Sequence, residues 1–255
     1  MHWLAQLADP AAWAAVFGSG WSEAHTAEFW IAVAKIIWIN ILLSGDNAVV
    51  IAMACRGLPM PQRAWGMVFG AGIAVALRIV FTGAVASLML LPYLKIVGGV
   101  ALLYIAVKLL QPDDPRNGPA EAVEHLWRAV RIVAVADVIM SLDNVIAIAA
   151  AVGGNTALLV LGLAVSIPLI VAGAALIMAL LERVPLLVWG GAALLGWIAG
   201  EVIATDPVVV AAVTRQFGAP AAVQAEWGAA VLGVVVVLSL AWLWRHWSAT
   251  PGSEV

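Results

Sequence analysis

Apolar residues run along most of this chain in long stretches broken by only a few polar positions. About 20 consecutive apolar residues let a helix cross the hydrocarbon of a bilayer. Seven such spans are predicted, over 30–53, 66–89, 92–110, 129–151, 157–181, 184–203 and 227–245. The opening stretch, MHWLAQLADPAAWAAVFGSG, lacks a basic leader and is interrupted by Asp9-Pro10, so it matches neither a cleaved signal nor a span. Its Trp3 and Trp13, with Trp21 and Trp30 following, predict an interfacial segment over 1–29.

The polar exceptions inside the apolar runs form a repeat. SGDNAVVIA, Ser44 to Ala52, returns as SLDNVIAIA, Ser141 to Ala149. The likeness extends on both sides: NILLSGDNAVVIAMA lies over DVIMSLDNVIAIAAA, and IVGGVALLYIA (from Ile96) over VWGGAALLGWI (from Val188). Each half therefore reads as three helices, 30–110 and 129–207, joined by a polar cytoplasmic linker over 111–128. The linker contains QPDDPRNGPAEAVEH, with a short amphipathic helix expected after Pro119. An odd number of spans per repeat turns the second copy over in the membrane, the plan of many secondary transporters. A further transmembrane helix, 227–247, stands outside the repeat. The predicted fold is all-α, a polytopic membrane protein of about seven transmembrane helices in two inverted three-helix repeats plus one C-terminal helix.

Composition agrees: 64% of the 255 residues are hydrophobic and 11% charged, against roughly half and a quarter in a soluble domain. Basic residues set the orientation. Arg56, Arg63, Lys108, Arg116, Arg128, Arg131, Arg183 and Arg245 fall at one set of loops and ends, and only Lys95 and Arg215 at the other. The positive-inside rule then puts the N-terminus outside and the C-terminus in the cytoplasm of a cell-membrane protein. The lone Cys55 excludes an internal disulfide and a cysteine-cluster metal site. Nothing in the charge pattern suggests nucleic acid.

An ionised carboxylate is costly in such surroundings, so intramembrane aspartates mark functional sites by default. If the pseudo-twofold axis crosses the paired positions Leu43 and Met140, Asp46 and Asp137 share an inner tier while Asn40 and Asp143 share an outer one. At a rise of about 1.5 Å per residue the tiers stand about 9 Å apart. The candidate ligands are Asp46, Asn47, Asp143 and Asn144, with Asp137, Asn40, Ser44 and Ser141 resting on this geometry. All offer oxygen, which suits Mn²⁺, Ca²⁺ or Mg²⁺, and the histidines (His2, His25, His125, His246) lie outside the spans. A divalent cation would let both aspartates remain ionised, and its departure would leave them to protons, so metal–proton exchange is a natural cycle. Gly45 predicts a helix break in the first copy, whereas Leu142 at the matching place gives no such help. Arg78 sits mid-span where the second half has Ile170, and is expected to hold Asp46 or Asp143 as a counter-charge. Lys35, Lys108, Glu182 and Glu201 lie near span ends, where they can snorkel.

Blander readings compete. Each motif could be a polar staple between packed helices, and Arg78 a structural ion pair. Met53 and Met140 read as packing, the Gly98-Gly99 and Gly190-Gly191 pairs as close helix contacts, and Trp189 and Trp197 as interface anchors. An intramembrane aspartyl protease would also need two aspartates, but Leu43-Ser44-Gly45-Asp46 and Ser141-Leu142-Asp143 lack the first glycine of the Gly-x-Gly-Asp signature. A structural subunit of a membrane complex would account for the hydrophobicity but not for the duplicated carboxylates.

NILLSGDNAVVIA and ADVIMSLDNVIAIAA, with ALRIVF, IVGGVALLYIAVKLL and SIPLIVAG, resemble the TerC family of integral membrane proteins, most closely its YjbE-type branch, over about Trp30 to Asp206. The resemblance implies a transporter akin to the LysE superfamily, not an enzyme, that exports Mn²⁺ and holds no permanent cofactor. It implies metal contacts from Asp46, Asn47, Asp143 and Asn144. The family takes its name from tellurium resistance. An aspartate-lined site should repel the tellurite oxyanion, so such a phenotype is expected to arise indirectly. The sequence does not choose among Mn²⁺, Ca²⁺ and Mg²⁺, nor fix direction, stoichiometry or a homo-oligomeric state. The partners it implies are the lipid bilayer and the divalent cation.

Overall fold

A computed structural model of the chain describes residues 26–88, 91–111, 119–152 and 156–248. Within its helices the side chains at 40–43, 81–88, 119–123, 142–152, 156–160, 219 and 247–248 lie outside that description. Most of the interfacial segment expected over 1–29 also falls outside the described residues.

Among the described residues the structure is helical throughout. The helices are α1 (Ala27–Leu43), α2 (Gly45–Cys55), α3 (Met60–Leu88), α4 (Leu94–Leu109), α5 (Pro119–Val152), α6 (Thr156–Arg183), α7 (Leu186–Ala204), α8 (Pro207–Phe217) and α9 (Ala219–Ser248). Segments within α3, α6, α7 and α9 are long and apolar enough to cross a membrane: Met60–Val80, Leu161–Arg183, Leu186–Ala204 and Pro220–His246. The other three expected spans meet specific obstacles. The first is divided at Ser44 into α1 and α2, of 17 and 11 residues, each too short to cross alone. The third is α4, whose 16 residues extend about 24 Å at 1.5 Å per residue. The fourth falls in the second part of α5, which at 34 residues is long enough to cross, but the side chains at 142–152 there lie outside the description. Pro119 occupies the first helical position of α5, where a missing N–H costs nothing. The helix expected after Pro119 forms, and it runs without a break into the rest of α5 through Val152 instead of ending as a short separate helix.

The packing pairs the two halves crosswise. The broken helix α1–α2 lies on α6, and its counterpart α5 lies on α3. The pairs α2 with α5, α3 with α6 and α4 with α7 also meet. Matching positions make the cross contacts. A Cβ on Gly70 of α3 would sit 3.4 Å from Val133 of α5, and one on Gly162 of α6 would overlap Ile36 of α1. Ile36 and Val133 correspond when the two Ser-x-Asp-Asn motifs are aligned, as do Gly70 and Gly162 when Arg78 is laid over Ile170. The Gly-Gly pairs do serve close approach: a Cβ on Gly99 would lie 2.7 Å from the Ala199 carbonyl of α7. Met53 and Met140 are buried among apolar neighbours. Helix α9 covers α7 closely, with Gly196 of one against Gly233 of the other, and α8 leads into it along the surface without a buried residue.

The polarity is inverted relative to a water-soluble protein. Trp38, Val97, Tyr104, Leu176, Leu232, Trp242 and Trp244 face outward, while Ser44, Asn47, Arg78, Asp137, Ser141 and Ser166 are buried. Outward apolar residues on this scale call for lipid around the bundle.

Candidate functional site

The buried polar residues gather where the two motif helices pass each other against α3. In the first copy the chain leaves helical geometry for one residue, Ser44 (φ −118°, ψ 5°), and α2 restarts at Gly45. Ser44 stands at the N-cap of α2, yet its side chain makes no capping bond; instead its Oγ accepts from Arg78 Nη1 at 2.9 Å. Asp46 occupies the first turn, where the positive end of the helix dipole favours a carboxylate, and its Oδ1 accepts from the Asn47 N–H at 2.8 Å. In the second copy α5 runs through the motif without a break.

Arg78 joins the two copies. Its Nε donates to Ser141 Oγ at 3.2 Å and its Nη2 to Asp137 Oδ1 at 2.9 Å, so both motif serines and one aspartate share a single guanidinium. Arg78 and Asp137 are 2% and 3% exposed, which makes this a fully desolvated ion pair. Ser141, one turn beyond Asp137, also hydrogen-bonds that carboxylate. Asp46 is near enough for its charge to act on Asp137, and Arg78 acts on both aspartates. When all three are ionised they leave a net negative charge. In this centre, among the described residues, Asp137 Oδ2 and Asn47 Nδ2 are buried without a hydrogen-bond partner. Such orphans are costly in a dry interior unless something else completes them. The amide of Asn47 can turn to present its oxygen in place of its nitrogen.

The expected residues thus separate into two sets. Asp46 and Asp137, the inner tier, come together, with Ser44, Ser141 and Asn47 beside them. Asn40 lies on α1, and Asp143 and Asn144 lie on α5, but their side chains are outside the described residues, so the outer tier is not described. Among the described residues the ion pair of Arg78 is with Asp137; Asp46, one of the two partners expected, lies within its electrostatic reach, and the side chain of the other, Asp143, lies outside the described residues. Among the described residues no group of three or more His, Cys, Asp or Glu is arranged to hold a metal; the acidic part of the described centre is the Asp46–Asp137 pair.

A second buried polar cluster did not stand out in the sequence. Asp206, fully buried, caps α8 by accepting from the Val208 N–H at 2.9 Å, and also accepts from the Tyr93 N–H at 3.3 Å ahead of α4. Buried Lys95 donates to Thr205 Oγ1 at 3.3 Å in the same corner. The Asp-Pro pair that opens α8 is the signal that could have found it.

The profile of the integral membrane protein TerC family matches residues 25–248, which cover the whole centre. The chain belongs to the TerC family. Within that family it is 44% identical over 180 residues to the membrane protein YjbE of Bacillus subtilis (strain 168), whose function is uncharacterised; the match covers 70% of this chain and 82% of YjbE. It is 25% identical over 137 residues to YceF of the same bacterium, another uncharacterised membrane protein, covering 50% of this chain and 53% of YceF. No solved structure matches the chain. Membership of the TerC family and the outward apolar surface together make this an integral membrane protein.

Proposed function

We propose that the protein is a transporter of a divalent cation, with Mn²⁺ as first substrate and export as direction, working in exchange for protons and serving metal homeostasis in the cell membrane. The observation that carries the reading is the convergence of both motif copies on one dry centre. Ser44, Ser141 and Asp137 bind Arg78 there, Asp46 stands within electrostatic reach, and two polar atoms are left unpartnered. In the ion-free state Arg78 acts as a resident cation that lets the aspartates remain desolvated. A hard divalent ion, taken up by carboxylate, amide and hydroxyl oxygens, makes that role redundant, and Arg78 withdraws. Asp46, Asn47, Asp137, Asp143 and Asn144 are the proposed ligands, with Asn40, Ser44 and Ser141 as helpers. Asp46 and Asp143 take up protons as the ion departs.

The crosswise packing of α1–α2 on α6 and of α5 on α3, through corresponding residues, supports the inverted repeat and its seven spans. With seven spans, the basic residues favour an outside N-terminus and a cytoplasmic C-terminus. A catalytic role finds no support in the motif chemistry, and the protein is proposed not to be an enzyme.

The test is Mn²⁺ flux into proteoliposomes loaded with an ion-sensitive dye. Wild type should show saturable uptake, and Asp46→Asn or Asp143→Asn should lower the initial rate roughly 10- to 100-fold while eluting as intact protein. Ca²⁺ and Mg²⁺ as competitors rank the substrates, and an internal pH dye reads proton movement. A second reading, favoured by the hydrogen bonds Arg78 makes to Ser44, Ser141 and Asp137, makes the centre a structural staple in a membrane complex. It would stand if wild type carried no ion and the variants lost only stability.

A further inference from the structure

At the end of the bundle where Arg56 and Arg245 lie, a cavity of about 750 Å³ opens among the ends of α2, α4, α6, α7 and α9. Arg56 and Arg245 line it with Gln111, Trp189 and Trp244, and its described lining carries no carboxylate. It adjoins a second recess of about 820 Å³ between α4 and α9, because Val107 and Trp244 line both. That groove is apolar apart from the Tyr104 hydroxyl, and it is walled by Leu103, Leu240 and Leu243. Lys108, in the last turn of α4, lies with its Nζ 5.6 Å from the ring centre of Tyr104, a wall residue of the groove.

We infer that these joined cavities hold one anionic phospholipid of the cytoplasmic leaflet, its phosphate between Arg56 and Arg245 and an acyl chain in the α4–α9 groove. Guanidinium groups recognise phosphate through paired N–H donors, and basic pockets between helices on the cytoplasmic side suit anionic head groups. A soluble phosphate would use the arginines and leave the groove empty. A zwitterionic lipid would fill the groove but bring a cation to the arginines. Trp189 and Trp244 mark the level of the interface, where amphipathic rings prefer to lie. The site is separate from the Arg78 centre, and nothing in its chemistry depends on which ion the protein carries.

Native mass spectrometry of the detergent-purified protein tests this, with equimolar phosphatidylglycerol and phosphatidylethanolamine of the same acyl chains. Wild type should retain one phosphatidylglycerol in preference. The double variant Arg56→Gln/Arg245→Gln should lose roughly tenfold of that preference. Arg56→Lys/Arg245→Lys keeps the charges but not the paired donors and should fall between wild type and the glutamine variant, which separates charge from folding. Leu240→Trp should crowd the groove and weaken retention with both arginines intact. Equal retention of the two lipids by wild type, or an undiminished preference in the glutamine variant, overturns the inference. So does full displacement by inorganic phosphate combined with unchanged retention in Leu240→Trp, which would leave an anion site and no lipid.

Discussion

Arg78 is the residue on which the centre turns, because it holds positive charge where neither water nor lipid can solvate it. Removing one member of a buried pair costs about 3–5 kcal/mol, since the partner remains charged and unpaired, whereas replacing both by apolar groups is often nearly neutral. Arg78→Gln should therefore lower the unfolding temperature in detergent sharply, and Arg78→Met/Asp137→Leu should recover most of it. Cation flux should stay absent in both, which separates stability from transport in a single thermal and transport series. The sequence made Arg78, Asp137 and the two motifs conspicuous because polar residues are rare in such runs. It did not reveal that Asp137 and both motif serines would share the Arg78 guanidinium. The partner of a long side chain depends on the rotation of two helices about their axes, and hydropathy carries no information about rotation. Asp206 escaped notice for the opposite reason, since at the edge of a span a carboxylate looks like ordinary loop chemistry until its burial is known.

Among the elements, the two motif helices differ although their sequences nearly repeat. Gly45 follows the Ser44 break, and a Cβ there would meet nothing within 4 Å. Gly45→Ala should thus fit without strain and raise helix propensity by about 1 kcal/mol. The expected result is unchanged or higher thermal stability with slower cation flux; unchanged flux would show that the break is not used. Gly45 against Leu142 made this difference visible in advance. The continuity of α5 from Pro119 was not visible, because Glu121, Glu124, Arg128 and Arg131 interrupt the apolar run while leaving helix propensity intact. Hydropathy reports what a segment can be buried in, and backbone preference decides how far a helix extends.

For the whole molecule, family membership and the inverted polarity were legible from composition and motif, while the span count depends on pairs of elements acting together. A broken helix of 17 and 11 residues can cross only if both pieces count as one span. Orientation can be read with thiol probes, and the native Cys55 is a silent background because it is fully buried. Met60 and Phe217 are 76% and 68% exposed. In whole cells a membrane-impermeant maleimide should label Phe217→Cys and leave Met60→Cys untouched until the membrane is permeabilised; the reverse pattern would invert the topology.

The one-residue interruption at Ser44 also makes the two halves mechanically unequal. One motif helix has a joint and the other has none, although the two motif sequences nearly repeat. If the protein is the carrier proposed above, a rocking movement about Arg78 would bend at that joint first, and its two sides would open with unequal ease. The overall equilibrium across the bilayer would still be set by the gradients alone. The repeated motif thus stands once on a jointed helix and once on a continuous one, and the joint lies at the residue just before Gly45.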